Sequence, residues 1–268
     1  MKPSNFPTER PTSIDASHFL GEAFSLIFTN RRGGVSDAPF DSLNLGFRGG
    51  DNPMSVSSNR ATVASQLGVS VERFVYLHQV HGTTVRRAGS EDGRKAAETG
   101  DAFPKTDGAY SDRPLTVLAV LTADCLPLAI GHKEGLFVAM LHAGWKGTLE
   151  NIASAALNEI RKEFSFRPFD LRAVMGPGIG PCCYHVDEGR ANLFVERYGE
   201  GSGVVQGGAR PGLDLYRANR ANLLEEGVKE ENINTTGICT CCNPDYFSYR
   251  REGVTGRQGA FAFLKTGK

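Results

Sequence analysis

The stretch that most limits how this chain can fold is "AVLTADCLPLAIGHKEGLFVAML", residues 119–141. Apolar runs of strand length alternate here with short polar breaks, and residues 115–121 and 135–141 read as strands. The breaks are too short for a helical crossover, so the strands of this stretch must turn back on one another as a hairpin. Elsewhere strand-like and helical patterns are interleaved. Together these features predict an α/β fold, an α-β sandwich with a mixed, largely antiparallel sheet flanked by helices, rather than a doubly wound parallel one.

The rest of the chain supplies the partners. Residues 24–29 read as a strand that breaks into the basic, glycine-rich turn "NRRGGVS", and residues 41–52 as a loop. "SSNRATVASQLGV" reads as a helix capped by Ser57 or Ser58 and closed by Gly68. A short strand over 74–77 runs into "HQVHG", and the charged residues 90–106 read as an exposed excursion. Helical spacing recurs over 148–164, 187–198 and 216–226; "LRAVMGPGIGPCCYHV" (171–186) reads as a strand feeding a glycine-proline loop, and "INTTGICT" and "AFAFL" as strands. No linker, repeat or low-complexity tract interrupts the 268 residues. The expectation is a flexible leader over 1–20 and a single catalytic domain over 21–268.

Thirty basic residues balance thirty acidic ones, so no global field draws the chain to nucleic acid or anionic lipid. No apolar stretch reaches the length of a bilayer span, and the first residues, "MKPSNFPTERPTS", lack the apolar core of a signal peptide. Six cysteines with two vicinal pairs make a poor disulfide framework, which favours the reducing cytoplasm.

Chemistry gathers at strand ends. Cys125 and His142 each lie just beyond an apolar run, on loops after strands that could be sheet neighbours, and His78 and His81 in "LHQVHG" follow another strand directly. If these loops meet at one sheet edge, two imidazoles and a thiolate converge. Two nitrogens and one sulfur suit zinc and leave an open fourth position. The same set could hold copper. Without a metal, Cys125 could be a nucleophile with His142 as base and Asp124 in support.

Cys239 and Cys242 form a C-x-x-C. A structural zinc there would need a second ligand pair, and Cys182 with Cys183 lacks the usual spacing, so these thiols read as buried or loop-packing. "GPGIGP" lacks the features of a nucleotide loop, though a glycine loop before a helix can form an anion nest. Arg31, Arg32, Arg250, Arg251 and Arg257 sit among glycines and aromatics on loops, where arginine suits phosphate or carboxylate. Lys146 is a further anion partner.

Taken together, "FTNRRGGVS…PFDSLNLG", "LHQVHG", "TADCLPL", "LHAGWKG", "GPGIGPCCYHV" and "FSYRREGVTGR" resemble the bacterial purine nucleoside phosphorylase family. Its members are also called polyphenol oxidase or laccase-domain proteins, and some peptidoglycan editing factor. The resemblance spans about residues 24–264. It implies a sandwich related to toxins that deamidate with a Cys-His pair, and a zinc site from His81, Cys125 and His142. It implies phosphorolysis of adenosine, inosine, guanosine and methylthioadenosine, with adenosine deamination, so purine nucleoside and phosphate are the expected partners. Asp124, Cys125 and His142 become the catalytic candidates, and Asn44, Arg48, Lys146, Arg250 and Arg257 the substrate-binding ones. Arg48 in "LGFRGGD" stands where many relatives carry histidine. The alternatives are hydrolysis of a wrongly built cell-wall precursor and copper-dependent polyphenol oxidation. A multicopper oxidase needs a histidine-rich cluster, and this chain has six histidines.

Overall fold

The tight hairpin joins Leu126–His132 to Val138–Ala143, which pair antiparallel from Leu126 opposite Ala143 to Gly131 opposite Val138. The strand before it, Val117–Thr122, is not part of that sheet. The two apolar runs expected to be sheet neighbours therefore lie in different sheets. Three residues, Ala123 to Cys125, are enough for the step, since facing sheets stand only ~10 Å apart and an extended residue spans ~3.3 Å.

The computed structural model describes residues 13–199, 203–205 and 209–266. In chain order it has β1 (Ser13–Asp15), α1 (Ser17–Leu20), β2 (Phe24–Thr29), α2 (Pro53–Leu67), β3 (Phe74–Tyr76) and β4 (Val85–Arg87). Next come α3 (Ser90–Thr99), β5 (Gly108–Ser111), β6 (Val117–Thr122), β7 (Leu126–His132), β8 (Val138–Ala143), α4 (Trp145–Leu149) and α5 (Ile152–Arg161). The last part holds β9 (Leu171–Met175), α6 (Glu188–Tyr198), β10 (Val204–Val205), β11 (Gly212–Leu213), α7 (Leu215–Glu225), β12 (Ile233–Thr235), α8 (Tyr249–Glu252) and β13 (Gln258–Leu264).

The first sheet runs β1-β2-β13-β6-β3 and the second β12-β9-β7-β8-β5-β4, with β10 and β11 a separate pair. Both large sheets are mixed and mostly antiparallel: β3 on β6, β4 on β5 and β12 on β9 are parallel, and the other pairings antiparallel. Side-chain alternation explains why the hairpin strands are apolar on both faces. Ala129, Val138 and Met140 join the core between the sheets with Phe28, Val120 and Phe261. Leu128, Ile130, Ala139 and Leu141 point the other way, onto Ile152, Ala156, Leu157 and Ile160 of α5 and Leu223 of α7. A strand buried on both sides reads as a continuous apolar run.

Several local expectations shift. Residues 13–20, expected as part of the leader, form β1 and α1, with Ile14 opposite Phe28 and Leu20 buried in the core; residues 1–12 lie outside the described residues. Helix α2 starts earlier than expected because Asn52, not Ser57 or Ser58, accepts the Met54 N–H and Pro53 occupies the first turn, while Gly68 closes the helix in the left-handed conformation. Residues 90–99 of the expected excursion form α3. The helix expected over 148–164 is two, α4 and α5, divided at Asn151, whose side chain caps α5. No helix among the described residues is long and apolar enough to cross a membrane.

Candidate functional site

Two of the connections that cross between the sheets carry candidate ligands. The loop from β3 to β4 carries His81, and the turn from β6 to β7 carries Cys125. His142, expected on a loop after the strand, comes from β8 itself, because the antiparallel pairing with β7 runs on to Ala143; it is the next-to-last residue, opposite Pro127. One ligand atom from each of His81, Cys125 and His142 lies within 4.8 Å of the others. His81 Nε2 is 3.6 Å from Cys125 Sγ, and the two imidazole rings meet edge to face at 4.8 Å. The 3.6 Å separation is one that two ligands of a single ion with bonds of ~2.0–2.3 Å would show. His78 is elsewhere: its main chain pairs with Phe103 and Thr106.

The backbone at both turns is unusual. His81 has φ 64° and Asp124 φ 92°, left-handed values that cost a residue with a side chain about 1–3 kcal/mol. Asp107, fully buried, offsets the first. Its carboxylate accepts N–H bonds from Val80, His81 and Gly82 at 2.8–3.2 Å. It also accepts the Nδ1–H of His142 at 2.8 Å. In the neutral ring Nε2 is then the unprotonated nitrogen, available to an ion. Gln79 bonds both the N–H and the C=O of Leu121 at 2.8 Å, which ties the His81 loop to the strand leading to Cys125. Gly144 approaches from the other side, where a Cβ would stand 3.0 Å from the His81 ring and 3.1 Å from Cys125 Sγ. A side chain there would displace the cluster.

Electrostatics follow from this crowding. Burial opposes ionisation of Cys125, but the His142 charge and hydrogen bonds from His142 and His81 outweigh it and bring the thiol down to about 6. Burial likewise opposes charging of His142, but the Cys125 thiolate and the Asp107 hydrogen bond raise it to about 9. Burial would raise Asp107 too, yet its bonds from His142 and the Gly82 amide leave it below the ordinary carboxylate value. Without an ion, a thiolate–imidazolium pair thus exists between about pH 6 and 9.

Above this floor opens a cleft of about 900 Å³. Arg48, Asp124, Arg250 and Arg257 line it with Tyr184, Trp145 and Phe47. Arg250 donates to the His185 carbonyl at 2.9 Å and lies over the Tyr184 ring. Arg257 is held by the carbonyls of Thr255 and Gly256. Arg48 pairs with Asp101 across the mouth. Asp124 accepts the Thr240 hydroxyl and the Arg250 N–H, both at 2.7 Å, so both its oxygens are engaged by the C-terminal loop.

Two candidates fall outside the cleft lining. Asn44 is buried, and its amide bonds Gly46, Asp51 and the Arg257 N–H, ordering the loop that carries Arg257. Lys146 is exposed and 3.9 Å from Glu150. Arg31 and Arg251 bind Glu252 and loop carbonyls, while Arg32 pairs with Asp245. "GPGIGP" forms no anion nest: its 178, 179 and 180 amides donate to Tyr216 and Ile238, to Asp124 and to Cys239.

Sequence reasoning missed Asp107, Gln79, Arg60 and Arg190. Gln79 lies inside the quoted "LHQVHG", but nothing marked its amide as a strand clamp. Arg60 sits in α2, its guanidinium 3.5 Å from the Tyr76 ring centre, and Arg190 in α6, stacked over Trp145 at 4.4 Å; both line the cleft.

Comparison with known proteins agrees with this architecture. Residues 25–265 match the family described as multi-copper polyphenol oxidoreductase laccase. The chain is 36% identical over 252 residues to a Geobacillus stearothermophilus protein named purine nucleoside phosphorylase YlmD, covering 92% of this chain and 91% of that one. It is 37% identical to the Escherichia coli K12 protein named purine nucleoside phosphorylase YfiH, covering 88% and 92%. The crystal structure of YlmD from Geobacillus stearothermophilus matches with a TM-score of 0.89 at 33% identity, over 98% of this chain and all of that one.

Proposed function

Because the chain belongs to the multi-copper polyphenol oxidoreductase laccase family, relatives in which are named purine nucleoside phosphorylase, we propose that it is a zinc-dependent purine nucleoside phosphorylase. Adenosine, inosine, guanosine and methylthioadenosine are its substrates in this reading, with phosphate as co-substrate and adenosine deamination as a second activity. The observation that carries it is the gathering of His81, Cys125 and His142 at the floor of a cleft walled by arginines and aromatic rings.

The donor set fits zinc: one sulfur and two nitrogens, with no fourth protein ligand in the group. Zinc held there would supply a Lewis acid and bring the pKa of a water to ~7. The chain's own residues do the rest. Asp107 fixes the His142 ring through Nδ1. Arg250 and Arg257 hold and neutralise phosphate, one oxygen of which bonds the sugar C1′ as the glycosidic C–N bond breaks and the departing base takes up a proton. Tyr184 and Phe47 offer apolar faces to the base. Asp124 acts as a positioning residue, holding Thr240 and the Arg250 backbone against the floor. In deamination a water oxygen adds to the purine carbon and ammonia leaves.

A second reading has its own observation. Cys125, His142 and Asp107 also line up as nucleophile, base and orienting carboxylate, as a hydrolase editing cell-wall precursors would need. A copper oxidase reading is less supported, since no second group of three or more potential ligands among the described residues includes a histidine. Six unpaired thiols suit a cytoplasmic enzyme.

The test is metal content together with product analysis. Adenosine plus phosphate should yield adenine and ribose 1-phosphate, chelation should stop the reaction, and zinc should restore it. Full activity in chelator, with a covalent adduct on Cys125, would instead support the hydrolase.

A further inference from the structure

The second cysteine group is the feature this function leaves unused. Cys182 and Cys183 lie in the loop after β9, and Cys239 and Cys242 in the loop after β12. The parallel pairing of β9 with β12 carries on into these loops: Gly178 bridges Cys239, and the Thr240 N–H reaches the Gly178 carbonyl. One sulfur from each cysteine lies within 4.8 Å of the others. Cys242 Sγ is 3.4 Å from that of Cys182 and 3.3 Å from that of Cys183, and none of the four is in a disulfide. This is the second ligand pair that the C-x-x-C lacked in sequence, supplied by topology instead of spacing.

We propose that these four thiols form a second metal site, a closed tetrahedral thiolate site that takes one zinc ion. Zinc–sulfur bonds of ~2.3 Å give a tetrahedron with edges of about 3.8 Å; the Cys242 sulfur stands slightly inside that distance from two of its neighbours, and all four sulfurs lie within 4.8 Å of one another. Cys182 and Cys242 are exposed, which is unusual for thiols packed merely as small apolar groups. The Gly180 N–H donates to Cys239 Sγ at 3.2 Å, a bond that favours a thiolate. A Cβ on Gly180 would stand 3.3 Å from Cys182 Sγ and from the Cys239 Cβ, so the loop closes over the sulfurs with little room to spare. With four protein ligands the ion has no open position, and its role is structural. It clamps the loop bearing Tyr184 to the loop whose Thr240 binds Asp124, and so holds one wall of the cleft.

The experiment is elemental analysis with zinc-edge X-ray absorption on the full chain, purified under reducing conditions without added metal. Wild type should carry two zinc ions, with about 2.5 sulfurs per zinc as the mean of one and four. Cys125→Ser should keep one zinc in an all-sulfur shell, and Cys182→Ser/Cys242→Ser should keep one with a single sulfur. A wild-type shell of one sulfur or fewer per zinc overturns the proposal, as does an intact mass showing a disulfide among the four. The wild-type measurement stands even if a variant fails to fold. A Cys125→Ser chain that keeps both ions would sink the three-ligand reading and leave this one intact.

Discussion

His142 stands in a strand buried on both faces with Asp107 behind it, whereas Arg48 and Lys146 are exposed side chains, each with an acidic neighbour. The floor of the cleft is held by four hydrogen-bonded groups on one buried carboxylate and by an amide clamped to a strand. The rim is held by backbone carbonyls and surface ion pairs. Groups that must meet within tenths of an ångström are fixed by a strand and by short loops tied to buried partners, and groups that must adapt to a ligand are left to the looser rim. The intermediate case is Arg257, which is only partly exposed and whose guanidinium is fixed by two carbonyls.

Substitution at the floor should be the most damaging. Cys125→Ser is expected to lose the ion held by the three-ligand group, and activity by on the order of 10³-fold or more. Zinc analysis and adenosine phosphorolysis on one preparation check both, and a metal-free variant with near-normal turnover would break the contrast between floor and rim. Asp107→Asn comes next. It keeps the size of the side chain but removes the charge facing His142 Nδ1, so metal affinity should fall about 10–100-fold. It also predicts a pH effect in metal-stripped protein. In wild type the Cys125 thiolate survives down to about pH 6, because His142 stays protonated up to about 9. Below that window the thiolate takes a proton, and above it the imidazolium loses one. Asp107→Asn should weaken the imidazolium and so move the alkylation profile of Cys125 to higher pH. Peptide mapping of Cys125 alkylation against pH reads this directly; an unmoved profile would show that Asp107 does not set the charge of the pair.

Rim arginines should cost less and act on a different constant. Arg250→Ala and Arg257→Ala should each raise the phosphate KM about tenfold, equivalent to ~1.4 kcal/mol, with zinc content unchanged. Arg257 should show the larger effect, because its guanidinium is pre-positioned by two carbonyls while Arg250 has one. A reversed order would mean that fixation at the rim does not govern anion affinity.

The same division explains what could be read in the sequence. The hairpin, the interleaved helices and the residues Cys125 and His142 follow from apolar runs and strand-end placement, which are local signals, whereas the choice of His81 over His78 follows only from the family resemblance. That β6 and β8 belong to opposing sheets does not, because a three-residue turn is compatible with either a hairpin or a step between layers. Asp107 is one of thirty acidic residues, and only the folded backbone turns three amides and an imidazole toward it. Asn44 and Asp124 illustrate the converse. Both carry polar side chains in conspicuous loops, but folding commits the atoms of Asn44 to Arg257 and Gly46, and those of Asp124 to Thr240 and Arg250. The four-thiol group joins residues about sixty positions apart, beyond any compact ligand spacing.

The smallest effect is expected at Lys146, and it sharpens the comparison most finely. Lys146 is four residues from His142 in sequence, the proximity that made it an anion candidate. Yet it is the second residue of α4, with its side chain 54% exposed and its ammonium 3.9 Å from Glu150. An exposed ammonium beside a carboxylate on the same helix is largely neutralised and screened. Its neighbour Trp145 lines the cleft and stacks under Arg190, while Lys146 is not part of the lining. Lys146→Ala should therefore change the phosphate KM by less than about twofold at moderate ionic strength and leave zinc content untouched. The check is a phosphate titration of the variant beside Arg257→Ala at two salt concentrations. A Lys146 effect as large as that of Arg257 would mean that α4 moves its first turn over the cleft when substrate binds, and that the rim is less loosely built than the resting structure indicates.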